Sequence, residues 1–293
     1  MGKIFINKMS NNIEHDELQY LNLIDNVIKN GAKKVGRNNA VTYSIFGHMS
    51  RYSLRDNTLP VITTKKMFLR GIIEELLWIL RGSTNANELK EKNIHIWDGH
   101  TSKEHYQSCG LDYEEGDTGP LYGMQWRHSG AEYKGMREDY TSQGVDQIKN
   151  VIEQLKNNPN SRRHVVCSWN PSDLPKMVLP PCHCLFQFYV NDNGLSCTLY
   201  QRSGDIGLGI PFNITSYSLL THFIANELGI PANEFIHVIG DAHVYEDHIP
   251  ALQEQLKRQP KRFPKVRVIS NTDQPFLIEN YESHGAIKMK MVV

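Results

Sequence analysis

The sequence predicts an α+β fold of mixed α/β character: one large, mostly mixed or antiparallel twisted sheet covered by helices in a single domain. Three observations carry this. Six runs rich in β-branched and aromatic residues are interspersed with four helical patterns. No internal repeat or low-complexity linker divides the chain. A length of 293 residues suits one large sheet-based core.

The elements follow in order. Residues 1–13, with Lys3, Asn7, Lys8, Asn11 and Asn12 and no apolar signal core, read as a flexible N-terminal leader before a domain at 14–293. Leu18, Leu21, Ile24, Val27 and Ile28 recur at helical spacing up to Gly31, and residues 44–54 read as a strand. Residues 71–80 form a second helix whose Ile72, Ile73, Leu76, Leu77, Ile79 and Leu80 cover one broad face. Glu75 falls between Ile79 and Trp78 and is expected to be semi-buried, whereas Glu74 falls nearer Arg81 on the solvated side. Residues 99–118 and 129–144, rich in Gly, Ser, Asp, Glu and Tyr, read as surface insertions. Val145, Ile148, Val151, Ile152 and Leu155 mark a third helix, and 214–228 a fourth stopped by Gly229 and Pro231. Further strands are expected at 164–169, 185–190, 195–202, 235–239 and 266–270.

Composition narrows the function. Lys+Arg and Asp+Glu are both 32, so no general attraction to polyanions is expected and a dedicated nucleic-acid binder is disfavoured. Any basic cluster must be local and aimed at something small, such as a phosphate. No apolar run approaches the roughly 18 residues of a membrane span, which argues against a membrane partner and for a cytoplasmic protein. Five cysteines without disulfide spacing fit a reducing compartment.

The chemistry concentrates in about thirty residues. Pro180-Pro181-Cys182-His183-Cys184 precedes a strand-like run, and Tyr200-Gln201-Arg202-Ser203-Gly204-Asp205 and Pro211-Phe212-Asn213 follow it. A thiol, a guanidinium, a carboxylate and a carboxamide thus arrive at strand ends, where side chains converge on one ligand. That is a pattern for covalent catalysis. A free thiol has a pKa of roughly 8.5, and Arg202 in the same pocket is expected to make Cys182 a thiolate at working pH. The plainer reading is a buried structural cysteine. No metal is expected: at strand spacing His183 faces away from Cys182 and Cys184, and no second Cys/His pair has zinc-finger spacing.

Together with Gly240-Asp241-Ala242-His243-Val244-Tyr245, Glu74-Glu75-Leu76-Leu77-Trp78, Gly119-Pro120-Leu121-Tyr122-Gly123 and Ser161-Arg162-Arg163, these motifs resemble the thymidylate synthase family from about Leu18 onward. The resemblance implies reductive methylation of dUMP to dTMP, with 5,10-methylenetetrahydrofolate as co-substrate. It implies a homodimer in which Arg162 and Arg163 serve the partner's site. The catalytic residues it implies are Cys182, Glu75, Tyr122, Arg202, Asp205 and Asn213. For dUMP it implies Arg37, Arg162, Arg163, Arg202 and Ser203 around the phosphate, Gln201 and Asn213, and His243 and Tyr245 at the ribose. For folate it implies Trp97, Asp205, Gly209, Phe212 and Val292, the last in a closing tail at 287–293.

These residue types suit that reaction. Carbon 5 of uracil is a poor nucleophile, and a thiolate added at carbon 6 turns the ring into an enolate. A phosphate is gripped best by guanidinium forks. Uracil presents an N–H at position 3 beside a carbonyl at position 4, which a carboxamide complements; the other reading of Asn213 is a helix N-cap. A semi-buried carboxyl such as Glu75 is expected to have a raised pKa and to pass protons near neutrality.

One segment departs from the family. Where the family has Asp-Arg-Thr-Gly-Thr-Gly-Thr, this chain reads Gly36-Arg37-Asn38-Asn39-Ala40-Val41-Thr42, and without the two inner glycines a stiffer loop and a weaker phosphate clamp are expected. Three other readings stand beside the main one. A dCMP hydroxymethylase of the same fold calls for Asp at 213. An inactive nucleotide- or RNA-binding relative, with weak RNA contact, rests on the altered loop. A cysteine hydrolase leaves the arginines and Asn213 without a task.

Overall fold

The computed structural model describes residues 15–36 and 40–291; the leader at 1–13, Arg37 with its two following neighbours, and Val292 lie outside them. Helix α1 (Glu17–Asn30) precedes a hairpin of β1 (Ala32–Val35) and β2 (Val41–Ser53). Helix α2 (Leu69–Leu80) is followed by short helices α3 (Asn87–Glu91), α4 (Lys103–Cys109) and α5 (Tyr122–His128), then by α6 (Gln147–Asn157). Strands β3 (Val165–Cys167), β4 (His183–Asn191) and β5 (Gly194–Asp205) lead into α7 (Gly209–Leu228) and β6 (Ala232–Tyr245). Helix α8 (Ile249–Leu256) and a small hairpin, β7 (Lys265–Val268) with β8 (Phe276–Glu279), complete the described elements.

The main sheet runs β1-β2-β6-β5-β4-β3. All its pairs are antiparallel except β5 with β6, which run parallel and are joined by α7, the crossover that parallel neighbours require. This is the mixed sheet that the sequence predicts. Along β4 the pleat turns Cys184, Phe186 and Phe188 into the core and Leu185, Gln187 and Tyr189 outward. Helix α7 is buried along most of its length, with Ile214, Tyr217, Leu220 and Ile224 packed in the same core. It ends at Gly229, whose φ of 68° lies in the left-handed region where a side chain is strained.

The outer face of the sheet carries an uncovered apolar row. Met49 pairs with Val238, Val238 with Tyr200 and Tyr200 with Leu185, so these four side chains form one row across four strands. Met49 is 57% exposed and Tyr189, two rows further on, is 61% exposed. A contiguous exposed apolar row of this kind is uncommon on the surface of a monomeric protein.

Three expectations need correction. Helix α7 begins at Gly209, before residue 214, because Pro211 sits in the first turn, where its missing N–H costs nothing. Asn213 is therefore inside the helix and is not its N-cap. Glu74 is buried rather than solvated: its carboxylate meets Lys92 at 2.7 Å and Gln274 at 3.2 Å, and against the upward push of burial these bonds hold it below its ordinary pKa. The segments at 99–118 and 129–144 are not merely surface, since Tyr106, Asp117, Thr118 and Tyr140 are buried. Asp117 anchors them by accepting from Tyr133 at 2.5 Å and from the Gly119 N–H at 2.7 Å.

Candidate active site

Cys182 immediately precedes β4, and the Arg202 N–H donates to its carbonyl at 2.9 Å, carrying the β4/β5 ladder one step beyond the strand. The two prolines before it do more than stiffen the chain. Arg202 Nε donates to the Pro181 carbonyl at 3.0 Å and Nη2 to the Pro180 carbonyl at 2.6 Å, while Nη2 lies 3.7 Å from Cys182 Sγ. The guanidinium also stands over the Trp169 ring at 5.9 Å. A cation is thus clamped beside the thiol. Burial nevertheless pushes the Cys182 thiol up, and Arg202 only partly opposes it. The expected thiolate is not obtained from this arrangement alone, because the sulfur loses more hydration than one guanidinium at that range returns.

A chain of amides lies beneath. Gln201, buried at the end of β5, donates through Nε2 to the Ser203 carbonyl and to Asn213 Oδ1, both at 3.0 Å. Its Oε1 is 2.8 Å from Nε2 of His237 on β6. With one lone pair of Oδ1 given to Gln201 and a further hydrogen bond to the ring of His183, Asn213 keeps the rest of its amide for a ligand. His183 stacks on Tyr122 at 5.0 Å; burial carries its pKa down to about 4 although Asn213 hydrogen-bonds to it. It is a neutral ring behind Asn213.

On the side of β6, His243 Nδ1 lies 3.5 Å from Ser203 Oγ and 3.3 Å from Asp241, and its ring meets Tyr245 edge-on at 5.4 Å. On the opposite side, Trp97 Nε1 donates to Glu75 Oε1 at 2.8 Å. The Tyr122 hydroxyl accepts the Cys182 N–H at 2.9 Å, and its ring meets Trp97 at 6.3 Å. Burial holds that phenol far above its ordinary pKa, so it stays protonated. Glu75 is half-buried, as expected; burial raises its pKa to about 7, with the Trp97 bond pulling the other way. Asp205, at the end of β5, accepts the Gly207 N–H at 2.7 Å. Gly209 opens α7 beside it, and Phe212 is half-buried in the following turn.

The Glu75 shift gives a testable pH dependence. A carboxyl with a raised folded-state pKa binds its proton in the folded protein before the unfolded one, so its stabilising effect is full below about 4.5 and is lost as pH rises through about 7. Glu75→Gln removes that loss. Denaturant unfolding should show the variant matching the wild type near pH 4 and exceeding it by about 3 kcal/mol near pH 8. Parallel stability curves across this range would contradict the assignment.

Arg162 and Arg163 are not brought to this cluster. They are exposed, and neither guanidinium makes a hydrogen bond or ion pair among the described residues. Val165 pairs with Gln187, so antiparallel register sets Arg163 about seven residues along β4 from Cys182, roughly 20 Å at the rise of a strand. Arginine cannot span that distance. Arg37 and Val292 lie outside the described residues; of the residues flanking 37–39, the Gly36 N–H donates to the Ala40 carbonyl at 2.8 Å.

Two further neighbours escaped the sequence reading. Buried Lys65 donates to the Gly207 carbonyl, and burial lowers its pKa to about 8 against the pull of Asp205. His248 stands 3.6 Å from Asp205 and donates to the Lys290 carbonyl at 2.7 Å, tying the C-terminal segment to the site. A Cβ on Gly207 would lie 2.7 Å from His248 and 3.1 Å from Met289, so only glycine fits between β5 and that segment. Both residues lie in segments without periodicity, and the one available signal was a lysine closing the run Val61-Ile62-Thr63-Thr64.

The family described as thymidylate synthase matches residues 18–293. The chain is 52% identical to the thymidylate synthase of Homo sapiens over 287 residues, which cover 95% of this chain and 91% of that protein. It is 49% identical over 289 residues to the thymidylate synthase of equine herpesvirus 2, covering 96% of this chain and all of that one. A putative bifunctional dihydrofolate reductase-thymidylate synthase of rice is 53% identical over 287 residues, which cover 95% of this chain and 58% of the rice protein.

Proposed function

The chain belongs to the thymidylate synthase family, and on that premise we propose that it methylates dUMP reductively to dTMP, converting 5,10-methylenetetrahydrofolate to dihydrofolate. The observation that carries this reading is the clamp of Arg202 between the Pro180 and Pro181 carbonyls at 3.7 Å from Cys182, above the Gln201–Asn213 amide pair. One nucleophile, one fixed cation and one oriented carboxamide meet the three needs of a uridylate. An inert structural cysteine has no use for them.

In this reading Cys182 gives its thiol proton up to solvent, Sγ forms a bond to C6 of uracil, and the C5–C6 π pair moves so that the charge reaches O4, where the Asn213 NH2 group meets it. The folate supplies one carbon and the hydride. Arg202 stabilises the sulfur anion and, with Ser203, contacts the phosphate. Glu75, with a pKa of about 7, holds or releases a proton near neutral pH, and Tyr122 stands beside Cys182 to guide the proton leaving C5. The S–C6 bond breaks as the product forms. His243 and Tyr245 take the ribose hydroxyl.

The residues present fit a folate. Asp205 offers carboxylate lone pairs to the adjacent N–H donors of a pterin, and Trp97 and Phe212 offer aromatic surface. Gly209 belongs to the same side, with the segment at Lys290 that His248 holds closing over it; Val292, outside the described residues, is a folate contact only by the family resemblance.

The enzyme acts as a cytoplasmic homodimer, with residues 14–293 as its catalytic unit. The uncovered row of Met49, Val238, Tyr200 and Leu185 and the stranded Arg162 and Arg163 support the dimer. Pairing two such sheets brings each chain's arginines to the other's phosphate site. No helix among the described residues is long and apolar enough to cross a membrane.

The direct test is a spectrophotometric assay of dihydrofolate formation from dUMP and methylenetetrahydrofolate. Turnover requiring both substrates supports the reading; nucleotide binding without turnover favours the inactive relative. Substrate choice adds a prediction. Asn213→Asp, whose protonated carboxyl presents donor and acceptor reversed, should shift the ratio of kcat/KM for dUMP against dCMP toward dCMP by about 1 to 3 kcal/mol. An unchanged ratio removes Asn213 from base recognition.

A further inference from the structure

A carboxamide alone does not choose between uracil and cytosine. Turning Asn213 by 180° about its last bond exchanges oxygen and nitrogen, and the same side chain then matches cytosine. Something must hold it one way round. Asn213 Oδ1 accepts from Gln201 Nε2 at 3.0 Å, and Asn213 also hydrogen-bonds to the neutral ring of His183, so the orientation of Asn213 is tied to that of Gln201 as well as to that ring. Gln201 is itself a reversible amide. Its NH2 group faces the Ser203 carbonyl at 3.0 Å, and its Oε1 faces His237 Nε2 at 2.8 Å.

We propose that His237 is a positioning residue that selects uracil: its Nε2–H, donated to Gln201 Oε1, fixes the polarity of the Gln201–Asn213 amide chain. The inference rests on the function proposed above and adds to it a residue that never touches the nucleotide. The geometry allows only one polarity. With a proton on Nε2, Gln201 must turn its oxygen to the ring and its nitrogen to Asn213. With Nε2 bare, two lone pairs would oppose each other at 2.8 Å, and relief would require both amides to turn, bringing Gln201 Oε1 against the Ser203 carbonyl.

Two features of His237 suit the task. The ring is fully buried, and burial first, then His183 and His48, carries its pKa down to about 3, so it stays neutral at working pH and holds a single ring proton. Its Nδ1 has no hydrogen-bond partner among the described residues. Among the described residues the ring's one hydrogen bond is therefore that to Gln201, and forming it keeps the proton on Nε2. The register supports the same link: His237 pairs with Leu199 on β5, two residues from Gln201 on the same face of the sheet.

The test compares wild type, His237→Leu and His237→Gln in kcat/KM for dUMP and dCMP and in competition binding of both nucleotides. Leucine removes the donor, while glutamine restores one. The dUMP-over-dCMP preference should fall about tenfold or more in His237→Leu and return to within about threefold of wild type in His237→Gln, with adduct formation at Cys182 retained in both. A wild type without preference for dUMP overturns the proposed function together with this relay. A wild type that prefers dUMP beside a His237→Leu variant of equal preference, or a loss that glutamine does not repair, overturns the relay alone. Should the leucine variant fail to fold, nitrogen-15 NMR of wild type with labelled histidine decides: the Nε2–H tautomer at His237 is expected, and the Nδ1–H tautomer contradicts the relay.

Discussion

Replacing Cys182 by Ala or Ser is expected to lower the kcat of dUMP methylation by at least about 10⁴-fold while leaving the fold and nucleotide binding largely intact. Alanine removes the nucleophile. Serine replaces it by a hydroxyl whose proton no neighbour takes: Arg202 is a cation donating to two carbonyls, and the Tyr122 oxygen already accepts the Cys182 N–H. Steady-state dihydrofolate formation measures the loss, and circular dichroism with dUMP titration separates it from misfolding. A serine variant within tenfold of wild type would remove Cys182 from the chemistry.

Mixing two dead proteins should restore activity. Arg163→Ala, or Arg162→Ala, is expected to be weak because the phosphate loses a partner's guanidinium, and Cys182→Ala is inactive. After subunit exchange of equal amounts, about half of the dimers are hybrids, and each hybrid holds one site with both an intact thiol and intact arginines. The mixture should therefore reach about one quarter of wild-type activity. The roughly 20 Å between Arg163 and Cys182 within one chain supports a phosphate contact made across the proposed dimer, on which this recovery depends. No recovery under conditions that demonstrably exchange subunits would place the arginines elsewhere.

Much of the fold was legible because burial writes itself into periodicity. Leu21, Ile24 and Val27 mark α1, and the alternation along β4 shows which side chains enter the core. What stayed hidden depends on contacts between distant segments. Glu74 lies on the nominally polar side of α2, yet Lys92 and Gln274 fold over it. The start of α7 was obscured because Gly209 and Pro211 weaken the helical pattern where the helix begins. The candidate site was legible as residue types near strand ends, and its wiring was not. Nothing local to Gln201 says that Asn213 accepts its N–H, and nothing local to His237 says that it faces Gln201; both follow from the parallel register of β5 and β6 beneath α7. The protonation state of Cys182 was misjudged for the same reason, since sequence shows the neighbouring arginine but not the depth of the sulfur.

The central claim is that Cys182 Sγ forms a covalent bond to C6 of the pyrimidine while the folate is bound. Incubating the protein with 5-fluoro-dUMP and methylenetetrahydrofolate, then measuring the denatured chain by mass spectrometry, tests it most directly. Fluorine at C5 cannot leave as a proton does, so the reaction should stop with nucleotide and folate both attached. The account predicts a mass increase equal to the two ligands together, located on the peptide containing Cys182 and absent from Cys182→Ala. An unmodified mass from protein that turns over dUMP, or attachment to any other residue, would contradict it.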